Sequence, residues 1–204
     1  MKRFRGYVFF YFLCYFVINI NPMHAQNPNA AQTYQKGDKL FTLGLEYVDS
    51  FSANKDIELY SFRMGYGSLL FKKVAFFGTL NITGTRGFLK IENENTSEIL
   101  NAESLGIGTS FLFRWYFVQF KNIYLFLDVG AGMLYTFQSF PPKGTKLNFT
   151  TRPGSGLAIH LNSKIQLLGG INRFHLSNGQ GYNHPYNPAF DGLGFFVGII
   201  LKVN

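Results

Sequence analysis

The sequence predicts an all-β protein: a single eight-stranded antiparallel transmembrane β-barrel. Three observations predict it. Apolar residues recur with period two from residue 39 almost to the C-terminus, the spacing of strands with one apolar face. The 204 residues include 24 Phe, 12 Tyr and 22 Gly but only 15% charged residues, a mix that suits a β protein with a large apolar outer surface. The second face of each segment is built from Gly, Ser and Thr with few charges, too sparse to meet bulk water and suited to a narrow barrel interior.

Taken in order, the chain opens with a segment to be set apart. Lys2, Arg3 and Arg5 form a basic n-region, Gly6 to Ile20 an apolar h-region, and Met23-His24-Ala25 ends on a small residue. Residues 1–25 therefore read as an export signal cleaved before Gln26. The apolar run is shorter than the roughly 20 residues of a spanning helix. Cys14, the single cysteine, lies within it, so the mature chain has no thiol chemistry. Removing the signal leaves 16 basic against 11 acidic residues, an excess that suits anionic lipid phosphates, and no nucleic-acid motif accompanies it. Residues 26–38 form a polar leader and 39–204 the barrel.

The strands follow. Phe41, Leu43, Leu45 and Tyr47 share one face against Thr42, Gly44 and Glu46; Tyr60, Phe62, Met64 and Tyr66 oppose Ser61, Arg63 and Gly65. Val74, Phe76, Leu80 and Ile82 oppose Thr79, Asn81 and Thr83. Leu105, Ile107, Phe111, Phe113, Trp115 and Phe117 oppose Gly106, Gly108, Ser110 and Arg114. Ile123 to Phe137 alternates against Asp128, Gly130 and Gly132, and stretches near 154–161, 165–177 and 191–203 complete eight. The aromatic face suits lipid, which places Glu46, Arg63, Arg114 and Asp128 inside, and closure removes every unpaired strand edge from hydrocarbon.

Short turns are expected near Gly67–Leu70, Lys121–Asn122 and Asn162–Lys164, and long polar or Pro-rich connections near 84–100, 138–153 and 178–190. Their alternation matches periplasmic turns and external loops. The chain ends Leu-Lys-Val-Asn, whereas barrels of this kind usually end in an aromatic residue.

One stretch carries chemistry. Across Ile165 to Ser177, odd positions run Ile165, Leu167, Ile171, Arg173, His175 and Ser177; across the last segment Asp191 shares parity with Leu193, Phe195, Val197 and Ile199. If the lower apolar residues set the outward face, His175, Ser177 and Asp191 all lie on the lipid side of adjacent strands. There a hydroxyl, an imidazole and a carboxylate could act as nucleophile, base and orienting acid. The alternative on residues alone is that His175 and Ser177 sit in an aqueous loop mouth while Asp191 merely starts a strand.

Phe-His-Leu-Ser-Asn followed by Asn-Pro-Ala-Phe-Asp-Gly-Leu-Gly-Phe resembles the signature of the lipid A 3-O-deacylase (PagL-type) family: His-x-Ser-Asn, a short loop, then Asn-x-x-x-acid before the final strand. The resemblance implies His175 as catalytic histidine, Ser177 as nucleophile and Asp191 as acid. It implies Asn187 as an oxyanion-hole donor and Asn178 as a positioning residue, while Gly179 and Gly181 flank the place of an oxyanion-hole glycine. The motif spans about residues 173–198. It departs from the family in having Asp where Glu is frequent and a loop about two residues longer. The implied activity is hydrolysis of an ester-linked 3-hydroxyacyl chain of lipid A, with lipopolysaccharide in a Gram-negative-type outer membrane as substrate and partner, and no metal or cofactor. A homodimer is compatible with it.

His184, before Pro185, reads as a solvated loop residue and His160 as a satisfied interior histidine; no His/Cys/Asp/Glu cluster has metal-ligand spacing. Gly192 to Gly198 is no phosphate loop, since no helix follows it. The competing readings are a non-catalytic small barrel, structural or adhesive through its loops, and a soluble lipocalin-like binder, which would need the aromatic face inside.

Overall fold

The computed structural model describes residues 34–52, 55–93, 96–178 and 189–203. The signal segment with Cys14, the first part of the leader, and Gly179, Gly181, His184 and Asn187 lie outside them. The strands are β1 (Lys39–Ser50), β2 (Lys55–Phe71), β3 (Val74–Asn93), β4 (Thr96–Asn101), β5 (Ser104–Phe120), β6 (Ile123–Thr136), β7 (Leu147–His160), β8 (Ile165–Ser177) and β9 (Phe190–Val203). Antiparallel pairing runs β1–β2–β3–β5–β6–β7–β8–β9 and returns from β9 to β1, closing an eight-stranded transmembrane barrel. Its outer surface exposes Leu45, Leu80, Ile82, Phe111, Val129 and Ile171, the face that hydrocarbon requires.

Several boundaries differ from those expected. The 84–100 region is not a loop: β3 continues through 20 residues and pairs with β4 from Phe88↔Asn101 to Asn93↔Thr96. A barrel strand needs only about 9–11 residues to cross a membrane, so this hairpin projects past the hydrocarbon. The turn expected at Gly67–Leu70 lies instead at Lys72–Lys73, because β2 runs on to Phe71 with an irregularity near Leu69. β7 begins at Leu147 rather than near 154; Pro153 sits within it, where the β7–β8 ladder is interrupted between Thr151 and Gly154. A proline has no N–H to give that ladder.

Glu46, Arg63, Arg114 and Asp128 turn inward. Arg114 holds Asp128 through two bonds, Nε to Oδ1 at 2.8 Å and Nη2 to Oδ2 at 2.7 Å. Glu46 lies between Arg63 at 3.9 Å and Arg152 at 3.4 Å, and accepts from Asn172 Nδ2 at 2.6 Å. The interior is nevertheless not the one expected, filled by small residues and a few charges alone. Around these charges lie two apolar clusters. One, at the short-turn end, contains Tyr34, Leu40, Phe77, Tyr116, Phe126, Phe196 and Ile200; the other, at the long-loop end, contains Val48, Leu59, Phe140, Phe174, Leu176 and Phe190. The small residues make room for the rings: a Cβ on Gly156 would meet Phe126 Cζ at 2.6 Å, and one on Gly170 would meet Phe196 Cζ at 2.7 Å. His160 accepts from the Gln166 amide at 2.8 Å and stacks obliquely on Tyr34 and Tyr124.

Candidate active site

The site begins with register. β8 and β9 pair so that His175 stands directly opposite Asp191, with Phe174 opposite Gly192. Along β8, Asn172, Phe174 and Leu176 are buried while Ile171 and Arg173 are exposed, so odd positions face outward. His175, Ser177 and Asp191 thus share the outer face at the long-loop end. The inner faces of the same strands are locked: Phe174 packs on Phe190, Phe190 on Phe140, and the Arg152 guanidinium lies 4.7 Å from the Phe174 ring centroid. Side chains on such a backed strand are held more firmly than on a loop. The start of β9 is fixed as well. Phe51 N donates to the Asp191 carbonyl at 3.0 Å, and the Lys55 ammonium donates to the Ala189 carbonyl.

His175 Nδ1 and Asp191 Oδ1 are 3.1 Å apart, within direct hydrogen-bond range. A carboxylate only accepts, so Nδ1 carries the proton, and in the neutral imidazole Nε2 is left as the basic nitrogen. Both side chains are about one-third exposed, accessible from outside the barrel. Ser177 follows two residues along the same face, about 7 Å in backbone rise. It is half-buried and opposite Phe149, and no hydrogen bond joins its hydroxyl to the imidazole among the described residues. Asn178, just beyond β8, is buried. Asn187, Gly179 and Gly181 lie outside the described residues.

Sequence reasoning gave no role to Arg173. Its Nη2 lies 3.0 Å and its Nε 3.3 Å from the same Asp191 Oδ1 that bonds His175. A signal was available: an arginine at a lipid-facing strand position is costly unless it sits near the interface and does something there. Among the described residues no three His, Cys, Asp or Glu side chains converge as metal ligands.

The sequence matches no protein-family profile and no curated protein. Among solved structures the chain is similar to the crystal structure of the outer membrane enzyme PagL, with a TM-score of 0.54 at 16% identity, covering 79% of this chain and 99% of that one. That likeness is one of fold. The solid-state NMR structure of the outer membrane protein AlkL in lipid bilayers gives a TM-score of 0.42 at 12% identity, covering 89% of this chain and 98% of that one.

Proposed function

We propose that this chain is an outer-membrane ester hydrolase that removes an ester-linked 3-hydroxyacyl chain from lipid A, using Ser177, His175 and Asp191. One observation carries the reading: the 3.1 Å contact between His175 Nδ1 and Asp191 Oδ1, on the outward face and two residues from a serine. An interior ion pair would hold the barrel together; an imidazole–carboxylate pair presented to lipid has no such use. The motif in which these residues lie, and the fold shared with an outer membrane enzyme, support the same reading.

The chemistry follows from the tautomer. Nε2 of His175 takes the Ser177 hydroxyl proton as Oγ attacks the acyl carbonyl. Asp191 supports the imidazolium that forms. The imidazolium then returns the proton to the sugar oxygen as the ester C–O bond breaks, leaving an acyl group on Ser177. Water, deprotonated by the same nitrogen, releases the fatty acid. Asn187, with Asn178 and a loop glycine, is assigned to the oxyanion. The active face opens to the outer leaflet, where lipid A acyl esters lie against the apolar surface below Arg173. Residues 1–25 serve as the export signal in this reading.

Mass spectrometry of lipid A from cells with and without the chain tests it. Loss of one hydroxyacyl group, dependent on Ser177, is expected. An unchanged lipid A profile with the barrel folded in the outer membrane would leave the non-catalytic barrel as the answer.

A further inference from the structure

The outward face of β8 is apolar through Ile165, Leu167 and Ile171, turns polar at Arg173, and continues with His175 and Ser177. Arg173 is thus the deepest polar group on this face, placed where its stem can lie along apolar surface while its head reaches the headgroup level. The Arg173 side chain is 65% exposed, yet two of its guanidinium nitrogens crowd onto Asp191 Oδ1, the oxygen that also serves His175. Three donor nitrogens therefore share one oxygen. The reaction described above needs only the imidazole contact, and the guanidinium opposes it, because a cation beside the carboxylate weakens its support of a second cation on the ring.

An exposed ion pair of this kind contributes little and exchanges partners readily. A phosphate monoester carries more charge than a carboxylate and presents oxygens that suit the guanidinium fork. We propose that Arg173 is a headgroup sensor. It leaves Asp191 for the phosphate of an anionic glycolipid, and Asp191 then supports the His175 imidazolium alone. The inference rests on the ester-hydrolase reading and gives it a substrate class: an ester lipid with a phosphate near the scissile ester. Hydrolysis is thereby coupled to the headgroup, and neutral ester lipids in the same leaflet are spared.

The experiment uses the whole barrel in detergent micelles, with phosphorylated lipid A and the same lipid after enzymatic dephosphorylation, and measures released hydroxy fatty acid. Wild type should cleave the phosphorylated lipid faster by about tenfold or more, the scale of one charge-assisted contact. Arg173→Gln should bring the two rates within about twofold of each other, and Arg173→Lys, which keeps the charge but not the fork, should fall between. Inorganic phosphate added to the dephosphorylated lipid should not restore the rate; restoration would mean that a free anion, not the headgroup, is read. Equal rates in wild type overturn the sensor while leaving the hydrolase standing. So does a preference that survives Arg173→Gln, or a parallel fall of both rates, the mark of an arginine that only orients Asp191. No cleavage of either lipid by folded wild type would fail the hydrolase reading itself, and the sensor with it.

Discussion

Two arginine–aspartate pairs in this barrel use the same chemistry to opposite ends. Arg114 and Asp128 face each other across β5 and β6 inside the lumen, joined by two parallel hydrogen bonds, with side chains only 3% and 7% exposed. Arg173 reaches Asp191 diagonally from β8 to β9 on the outside, its own partner in register being Leu193; the two side chains are 65% and 31% exposed, with both guanidinium contacts on one oxygen and an imidazole on that oxygen as well. The inner pair is closed in by its neighbours: the Arg114 guanidinium carbon lies 3.9 Å from the Phe126 ring centroid, and the Tyr116 side chain hydrogen-bonds the same arginine. The outer pair faces whatever the leaflet contains. Burial, not residue identity, separates a strut from a site.

The sharpest way to break this comparison is to remove the groups proposed to react on the outer face. Ser177→Ala and His175→Ala should each lower deacylation by about 10⁴-fold or more, the scale on which nucleophile and base act as one unit. Heat-modifiable migration should stay that of a folded barrel, since a half-buried group on the outer face contributes little packing. Asp191→Asn comes next. Its amide cannot support the imidazolium, and losses at the acid of such a triad run roughly one to two decades milder than at its nucleophile. Lipid A mass spectrometry reads all three. Full activity in Ser177→Ala would move the nucleophile elsewhere.

The inner pair should answer in stability instead. Arg114→Ala leaves Asp128 buried without its partner, and breaking a buried pair from one side costs about 3 to 5 kcal/mol. The midpoint of urea unfolding in detergent should fall accordingly, while activity per folded barrel stays near that of wild type. If Arg114→Ala instead abolished activity in barrels that remained folded, the division between strut and site would collapse.

How far this was legible in the sequence depends on what each feature leaves in the pattern. Period-two alternation is a direct imprint of a two-faced strand, so β8 at Ile165–Ser177 and the inward turn of Glu46, Arg63, Arg114 and Asp128 could be read from it. Polar composition reports solvent and not pairing, so Thr96–Asn101 reads as loop although its backbone pairs with β3. Pro153 reads as a breaker, which hid the first half of β7. Phe126 and Phe174 fall on the face of small residues, and only the packed barrel shows that a glycine on the neighbouring strand admits the Phe126 ring. At the candidate site, parity put His175, Ser177 and Asp191 on one outer face, which is where the register places them. Neither parity nor motif gave Arg173 a role, because a motif is silent on a neighbouring charge that shares an oxygen with one of its members.

The smallest expected effect tests reach. Asp stands here where the resembling family often has Glu, and a shorter side chain could have fallen short of the imidazole. The register removes that problem: His175 and Asp191 are direct partners across adjacent strands, and the carboxylate already lies 3.1 Å from Nδ1. An added methylene is therefore not needed for contact, and it disturbs the geometry in which the Arg173 nitrogens now share the carboxylate oxygen. Asp191→Glu should keep activity within about threefold of wild type, the range left when a triad contact is preserved and only its neighbours shift. Its preference for phosphorylated over dephosphorylated lipid A should narrow, because less of the carboxylate's charge is tied up by Arg173 before the headgroup arrives. A loss as deep as that of Asp191→Asn would mean that the carboxylate works only from its present position, with Arg173 as a fixed support rather than an exchangeable partner.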